Sequence, residues 1–367
     1  MRVGVVAAEA EGRRTGVGRY LEGLMSGLAA WPHGAEWRLL TRGPLPAGAW
    51  SPVSGATVQP VPSTLSATLW EQLVLPRQLH RQRVDVVFSP GYSVPLAAGI
   101  PSVVAVHDLS FELLGEEFRW RERWRRRVLA RLAVRRARRV VVDTEAMAAT
   151  MADVYGLPAS HLAVVPLGVD AGRFTPEHDP ADTELDRLGI CSPYLLAVGA
   201  VLTRRHPRLL LEALAVLRQR HGGLRLVLAG PDRLRERGAL DRWVEQLGLG
   251  GAVVRLGWVE ERWLPALYRG AVATVYLSDH EGFGLPPLES LACGTPVVIT
   301  PGQGLDELWP SYPLVVSAER ETVVAAVERV LAGDRPSALA LRAGVAAATW
   351  EATARGLVEV LREVAGR

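Results

Sequence analysis

The chain has 367 residues, a net charge of +3, 49% hydrophobic residues and 22% charged ones. That length predicts two domains, and that balance excludes a disordered chain. No run approaches 18 apolar residues, and residues 1–8 are too short for a signal-peptide core, so a cytoplasmic chain without a spanning helix is expected. All 42 basic residues are arginine; lysine and asparagine are both absent, a codon-level bias that lowers the meaning of any single arginine. Cys191 and Cys293 lie far apart without metal spacing. Both are expected to be reduced, buried small residues.

The first strand is expected at 3–7, then a glycine-containing loop from Glu11 to Tyr20, then a helix over 17–30. Gly16-Val17-Gly18 taken alone supports only a tight turn, and Tyr20 is expected to pack. β-Branched runs at 84–88, 102–106 and 139–142 are bounded by turn residues and separated by helical patterns. They predict a parallel sheet with helices on both faces. His107 and Asp108 follow the run at 102–106; a lone histidine at a strand end is often structural. Residues 119–139 hold eleven arginines against one glutamate, Glu122. Trp120, Trp124 and Val128 recur every four residues there, which predicts a basic amphipathic helix. Either it packs on its domain with a solvated basic face, or it docks on an anionic membrane surface through arginines and tryptophans. No nucleic-acid recognition module is present, so no nucleic-acid partner is expected.

Residues 167–193 are rich in Asp, Pro and Gly and read as a linker. A second series of strands follows at 194–198, 224–228, 253–256, 273–276 and 297–299. The halves, 1–175 and 190–348, are thus expected to be doubly wound α/β domains, with ligand at the carboxyl ends of their strands. The first strand of the second half runs into Gly199 and then Arg204-Arg205-His206. The strand near 274–277 runs into Glu281-Gly282-Phe283-Gly284-Leu285-Pro286-Pro287-Leu288-Glu289, with a helix expected at 290–293. A strand, a glycine loop and a helix start hold anions through backbone N–H groups and the positive end of the dipole. A carboxylate at each end adds acceptors for hydroxyls. Phosphate sites in the middle and hydroxyl sites at the edges suit a sugar nucleotide.

Glu281 to Glu289, with Ala292-Cys293-Gly294-Thr295-Pro296-Val297-Val298, resembles the Glu-x7-Glu signature of retaining glycosyltransferases of family 4. Gly16-Val17-Gly18-Arg19-Tyr20 and His107-Asp108-Leu109-Ser110-Phe111 resemble a mannosyltransferase-like branch of it. So do 70–76, 84–90, 164–170 and 255–259. The match fades after Thr300, where Pro301 to Glu307 replaces the usual loop.

The resemblance implies the GT-B fold: two Rossmann-like domains facing across a deep cleft, with a last helix at 349–366 packed back on the first. It implies that Arg204 and Arg205 grip the donor diphosphate beside Gly199, although lysine is usual at Arg205 and asparagine at His206. Paired cations stabilise the charge that builds on the leaving phosphate. By the same resemblance, Glu281 binds the transferred sugar and Glu289 the ribose. Gly282, Phe283, Gly284 and Leu285 then hold phosphate and sugar through their backbone, Trp258 and Val259 border the base, and Gly16 and Gly18 lie near the phosphates. His107 lies beside the transferred sugar; Arg19 and Asp108 fall on the acceptor side, with Asp108 either orienting His107 or touching acceptor.

The expected activity is metal-independent retaining transfer, without a cofactor, from a nucleotide sugar to a glycan, lipid-linked or small-molecule acceptor. A GDP-mannose-like donor is favoured, with UDP- and dTDP-sugars open. The rival reading is a non-catalytic nucleotide-sugar-binding subunit, invited by Arg205. A peripheral position on the inner face of a membrane is the alternative location.

Overall fold

A computed structural model describes residues 1–11, 16–45, 55–179, 182, 185 and 189–366. Contacts divide the chain into one unit of Met1–Gly168 with Ala348–Arg367 and a second of Val169–Ala347.

The first unit is built on a seven-stranded sheet. Its strands are β1 (Arg2–Val6), β2 (Glu36–Thr41), β3 (Ala56–Pro60), β4 (Val86–Ser89), β5 (Ser102–Ala105), β6 (Arg139–Val142) and β7 (Leu162–Val164). Their order is β3-β2-β1-β4-β5-β6-β7, with every pair parallel. The inner strands β1, β4, β5 and β6 are valine-rich and buried on both faces. This is the pattern a helix-covered parallel sheet requires. Strand β3 is a half-exposed edge, Ala-Thr-Val-Gln-Pro. It needs no continuous apolar run, so neither it nor the other edge, β7, stands out in the sequence. The order of strands reverses between β1 and β4, which is where doubly wound sheets place ligands.

The helix Trp350–Val364 belongs to this unit and packs on the helix Gly16–Ala29. Its N-cap Thr349 accepts a hydrogen bond from the Ala352 amide, and Leu357, Val358 and Leu361 are buried. Glycine spacing allows the close approach. A Cβ at Gly23 would lie 2.1 Å from the Trp350 ring, and one at Gly27 would lie 2.0 Å from the Trp350 carbonyl oxygen. A ring can turn aside; a backbone carbonyl within a helix cannot.

The arginine-rich segment forms a helix, Trp120–Arg136, but its charges are not simply a solvated face. Only Ala130, Ala133 and Val134 of it are buried. Arg127 and Arg131 reach the buried Glu112 carboxylate at 2.5 and 3.5 Å. Arg123 donates to the Phe111 and Glu112 carbonyls, each at 2.9 Å. A buried carboxylate must be paired, and these guanidiniums pair it. The expected tryptophan stripe does not pack: Trp120 is 73% and Trp124 65% exposed. No described helix is long and apolar enough to cross a membrane.

The second unit carries β8 (Tyr194–Val198), β9 (Arg225–Ala229), β10 (Val253–Arg255), β11 (Ala273–Tyr276) and β12 (Val297–Ile299). They run parallel in the order β10-β9-β8-β11-β12, with the reversal between β8 and β11. The segment expected as a linker is stitched onto this unit. Asp182 pairs with Arg269 at 2.6 Å, and Arg173 with Glu261 at 3.0 Å. Cys293 is buried, and that burial pushes its thiol up to about 12, whereas Cys191 is exposed, contrary to expectation.

Gly27→Ala is expected to destabilise the first unit by about 1–3 kcal/mol through overpacking. A lower denaturant midpoint checks this. Gly43→Ala, whose new methyl would meet nothing within 4 Å, should not lower it.

Candidate functional site

In the second unit the loops after β8 and β11 meet at the reversal point. Chain leaves β8 through Gly199 at φ +110°, where a Cβ would sit 2.1 Å from Arg205 Nη1. Only glycine allows both that backbone and that arginine. A short turn, Thr203–Arg205, follows. His206 then adopts φ +48° and leads into the helix Pro207–Arg220. His206 Nε2 lies 2.6 Å from Asp279 Oδ1, and the Asp279 amide donates to the Arg204 carbonyl at 3.0 Å. The two loops are thereby tied to each other.

Three donors converge on one oxygen. Glu281 Oε1 accepts from Arg205 Nε at 2.8 Å, Ser278 Oγ at 3.1 Å and Arg204 Nη2 at 3.5 Å. Arg205 also donates to the Ala200 carbonyl at 3.3 Å and to the Tyr276 hydroxyl at 3.1 Å. Burial alone raises the pKa of Glu281. The charges of Arg205 and Arg204, with hydrogen bonds from Arg205 and Ser278, outweigh it and hold the carboxyl below its usual range. Two guanidiniums against one carboxylate leave this trio with surplus positive charge, which suits an anion.

The helix Leu285–Ala292 starts from Gly284 at φ +92° without a side-chain cap. Pro286 and Pro287 lack N–H groups, so Phe283, Gly284 and Leu285 are the residues that can present amides to an anion here. Phe283 is buried, and Gly304 donates to its carbonyl at 3.0 Å. Glu289 is 2% exposed and accepts from the Tyr268 hydroxyl at 2.8 Å. Trp258 is 44% exposed beyond the end of β10, with Val259 half-buried beside it.

In the first unit, Gly16 is exposed, Gly18 and Tyr20 are buried and Arg19 is half-buried; residues 12–15 of the same loop lie outside the described residues. His107 follows β5, and its Nδ1 lies 2.9 Å from each carboxylate oxygen of Asp143. The Tyr20 ring sits 4.3 Å from the imidazole, centroid to centroid. Asp108 does not orient His107. Its oxygens accept from the Ser110 amide at 2.6 Å and the Ser110 hydroxyl at 2.7 Å, closing the next turn.

Asp143, beside His107 in the first unit, and Tyr276, Ser278 and Gln303, in the loops of the second unit, were not singled out by the sequence. The available signal for Asp143 was an acidic residue directly after a buried strand. Gln303 lies in the loop where the motif match fades. It is 3% exposed and donates through Nε2 to Thr300 Oγ1 at 2.9 Å.

Two family models match the chain: Glycosyltransferase Family 4 over residues 14–173 and Glycosyl transferases group 1 over residues 190–347. A mannosylfructose-phosphate synthase of Agrobacterium fabrum is 32% identical over 53% of this chain and 43% of its own. A D-inositol 3-phosphate glycosyltransferase of Pseudarthrobacter chlorophenolicus is 30% identical over 67% of this chain and 61% of its own. The chain spans about half the length of the curated relatives it matches. The structure of a sucrose-phosphate synthase from Thermosynechococcus elongatus superposes with a TM-score of 0.77 at 20% identity, covering 99% of each chain. The fold is therefore GT-B.

Glu281 carries a depressed pKa, so its contribution to stability is complete above its unfolded value of 4.5 and is lost as pH falls through the lower folded value. Wild type should therefore lose stability relative to Glu281→Gln as pH drops from neutral to below 4.5. Paired denaturant titrations across that range check the sign.

Proposed function

The chain belongs to glycosyltransferase family 4, and we propose that it transfers a sugar from a nucleotide sugar to a carbohydrate, lipid-linked or small-molecule acceptor with retention at the anomeric carbon. The observation that carries the reading is the convergence of Arg204 and Arg205 on Glu281 where β8 and β11 diverge. On this reading the donor diphosphate takes the guanidiniums, and Glu281 turns to the hydroxyls of the transferred sugar. The Phe283, Gly284 and Leu285 amides hold phosphate and sugar. Glu289 takes the ribose, and Trp258 with Val259 borders the base. Gly199 keeps the phosphate loop open, and His107 holds a sugar hydroxyl. Gly16, Gly18, Arg19 and Asp108 complete the donor and acceptor edges.

The bond from the anomeric carbon to the departing phosphate oxygen breaks. A bond to the acceptor oxygen forms on the same face, and the acceptor proton passes to the leaving phosphate. The residues do not form a covalent sugar ester in this scheme. Arginine pairs supply positive charge to the leaving group, which supports metal-independent transfer. A GDP-mannose-like donor is the favoured one.

We also propose that the segment Arg119 to Arg139 docks on an anionic membrane surface. This rests on exposed Trp120 and Trp124 beside uncommitted chain surface at Leu69 and Leu73, 47% and 57% exposed. Arg125 bridges the two patches by donating to Thr68 at 3.0 Å.

Arg205→Ala is expected to lower transfer by about 10²–10³-fold, the size of losing one transition-state donor. Turnover should persist in a chelator, and the product anomer read by NMR should match the donor. Tight nucleotide binding without turnover on any acceptor class would favour the non-catalytic subunit instead. In a separate flotation assay, vesicles containing anionic lipid should carry the wild-type chain at low salt and release Trp120→Ala/Trp124→Ala; absence of wild-type flotation sinks the membrane proposal.

A further inference from the structure

His107 and Asp143 leave adjacent parallel strands, β5 and β6, at the same end of the sheet. Both oxygens of Asp143 face His107 Nδ1 at 2.9 Å, and Asp143 is 1% exposed. A carboxylate can only accept, so Nδ1 donates. In the neutral ring the single proton therefore resides on Nδ1, and Nε2 keeps a lone pair. Nε2 is itself buried and, among the described residues, has no hydrogen-bond partner. The same holds for the hydroxyl of Tyr20, whose ring lies against the imidazole. A buried acceptor without a donor is costly and needs an explanation. Two such atoms on rings in contact point to a ligand group rather than to faulty packing.

We infer that Asp143 is a positioning residue: it fixes the neutral His107 ring as the Nδ1–H tautomer, so that Nε2 accepts a hydrogen bond from a substrate hydroxyl. The inference rests on the glycosyltransferase reading for the identity of that hydroxyl, but not for the tautomer. The arrangement is selective. A sugar or polyol O–H satisfies Nε2. A carbonyl or phosphate oxygen placed there would set lone pair against lone pair. Tyr20 Oη, also buried without a partner among the described residues, can donate to or accept from a ligand hydroxyl as well. The packed tyrosine ring also restrains rotation of the imidazole, so the tautomer and the direction of Nε2 are held together.

The test is a two-bond 1H–15N spectrum of the full chain labelled at histidine, above the titration of the ring. His107→Gln assigns the signal among the eight histidines. The expected wild-type pattern is protonated Nδ1, and Asp143→Ala should move it to the Nε2–H form. Transfer by Asp143→Ala should fall by about ten- to a hundredfold in kcat/KM, the range expected for a lost buried hydrogen bond, with nucleoside diphosphate affinity unchanged. Asp143→Asn offers Nδ1 either an oxygen or an N–H, so its transfer rate should follow whichever tautomer its spectrum shows. An Nε2–H wild-type signal overturns the inference, even if both variants fail to fold. So does full turnover by Asp143→Ala, or turnover in Asp143→Asn that ignores its tautomer. A wild-type chain that shows the Nδ1–H form but no transfer on any carbohydrate overturns the glycosyltransferase reading and the hydroxyl assignment, leaving the tautomer standing.

Discussion

The second unit depends on two guanidiniums sharing one carboxylate oxygen. Arg204 and Arg205 arrive from the loop after β8, Glu281 from the loop after β11, and these strands are neighbours at the point where the sheet reverses direction. Removing a partner from such a cluster leaves a buried charge without compensation, which is far worse than never having built it. Several local features follow from that demand. Gly199 is a glycine because a side chain would collide with Arg205. Tyr276 ends β11 beneath the guanidinium, with its ring 5.2 Å away, and its hydroxyl is pushed above its usual range chiefly by burial. Ser278 completes the donors around Glu281.

The same cluster gives the site its electrostatics. Its three ionic side chains carry one net positive charge, held without an exposed lysine-like tether. Arginine at position 205 matters here. A lysine would keep the charge but lose the planar fork that bonds Glu281, Ala200 and Tyr276 at once. Departure from the usual lysine is thus built into the surrounding contacts. The two prolines after Leu285 act in the same direction. They confine the N–H groups available to a ligand to the glycine turn instead of spreading them along the first turn of the helix.

Much of this was legible from the amino acids. Inner strands are short β-branched runs between turns, and the glycine loops after β8 and β11 carry their chemistry within a few residues. The unread parts depend on neighbours distant in sequence. Asp143 meets His107, 36 positions earlier, only because β6 lies beside β5. The arginines of the helix Trp120–Arg136 looked solvated because their partner, Glu112, belongs to another element and is buried there. Asp108 looked like the partner of His107 because it follows it in sequence, yet its carboxylate turns to Ser110. Strand β3 was missed because an edge with polar, half-exposed positions needs no apolar run to pair in register; β2 is an inner strand, but Glu36 and Arg38 interrupt its apolar run.

On the reading proposed above, the Arg204–Arg205–Glu281 cluster is a diphosphate receptor. Calorimetric titration with the mono- and diphosphates of guanosine, uridine and thymidine tests it most directly, using wild type and Arg205→Ala. One base should emerge, with its diphosphate at least about tenfold tighter than its monophosphate, a gap of about 1.4 kcal/mol, and Arg205→Ala should erase the gap. Equal affinity for mono- and diphosphate in wild type, or a gap that survives the substitution, would contradict the account.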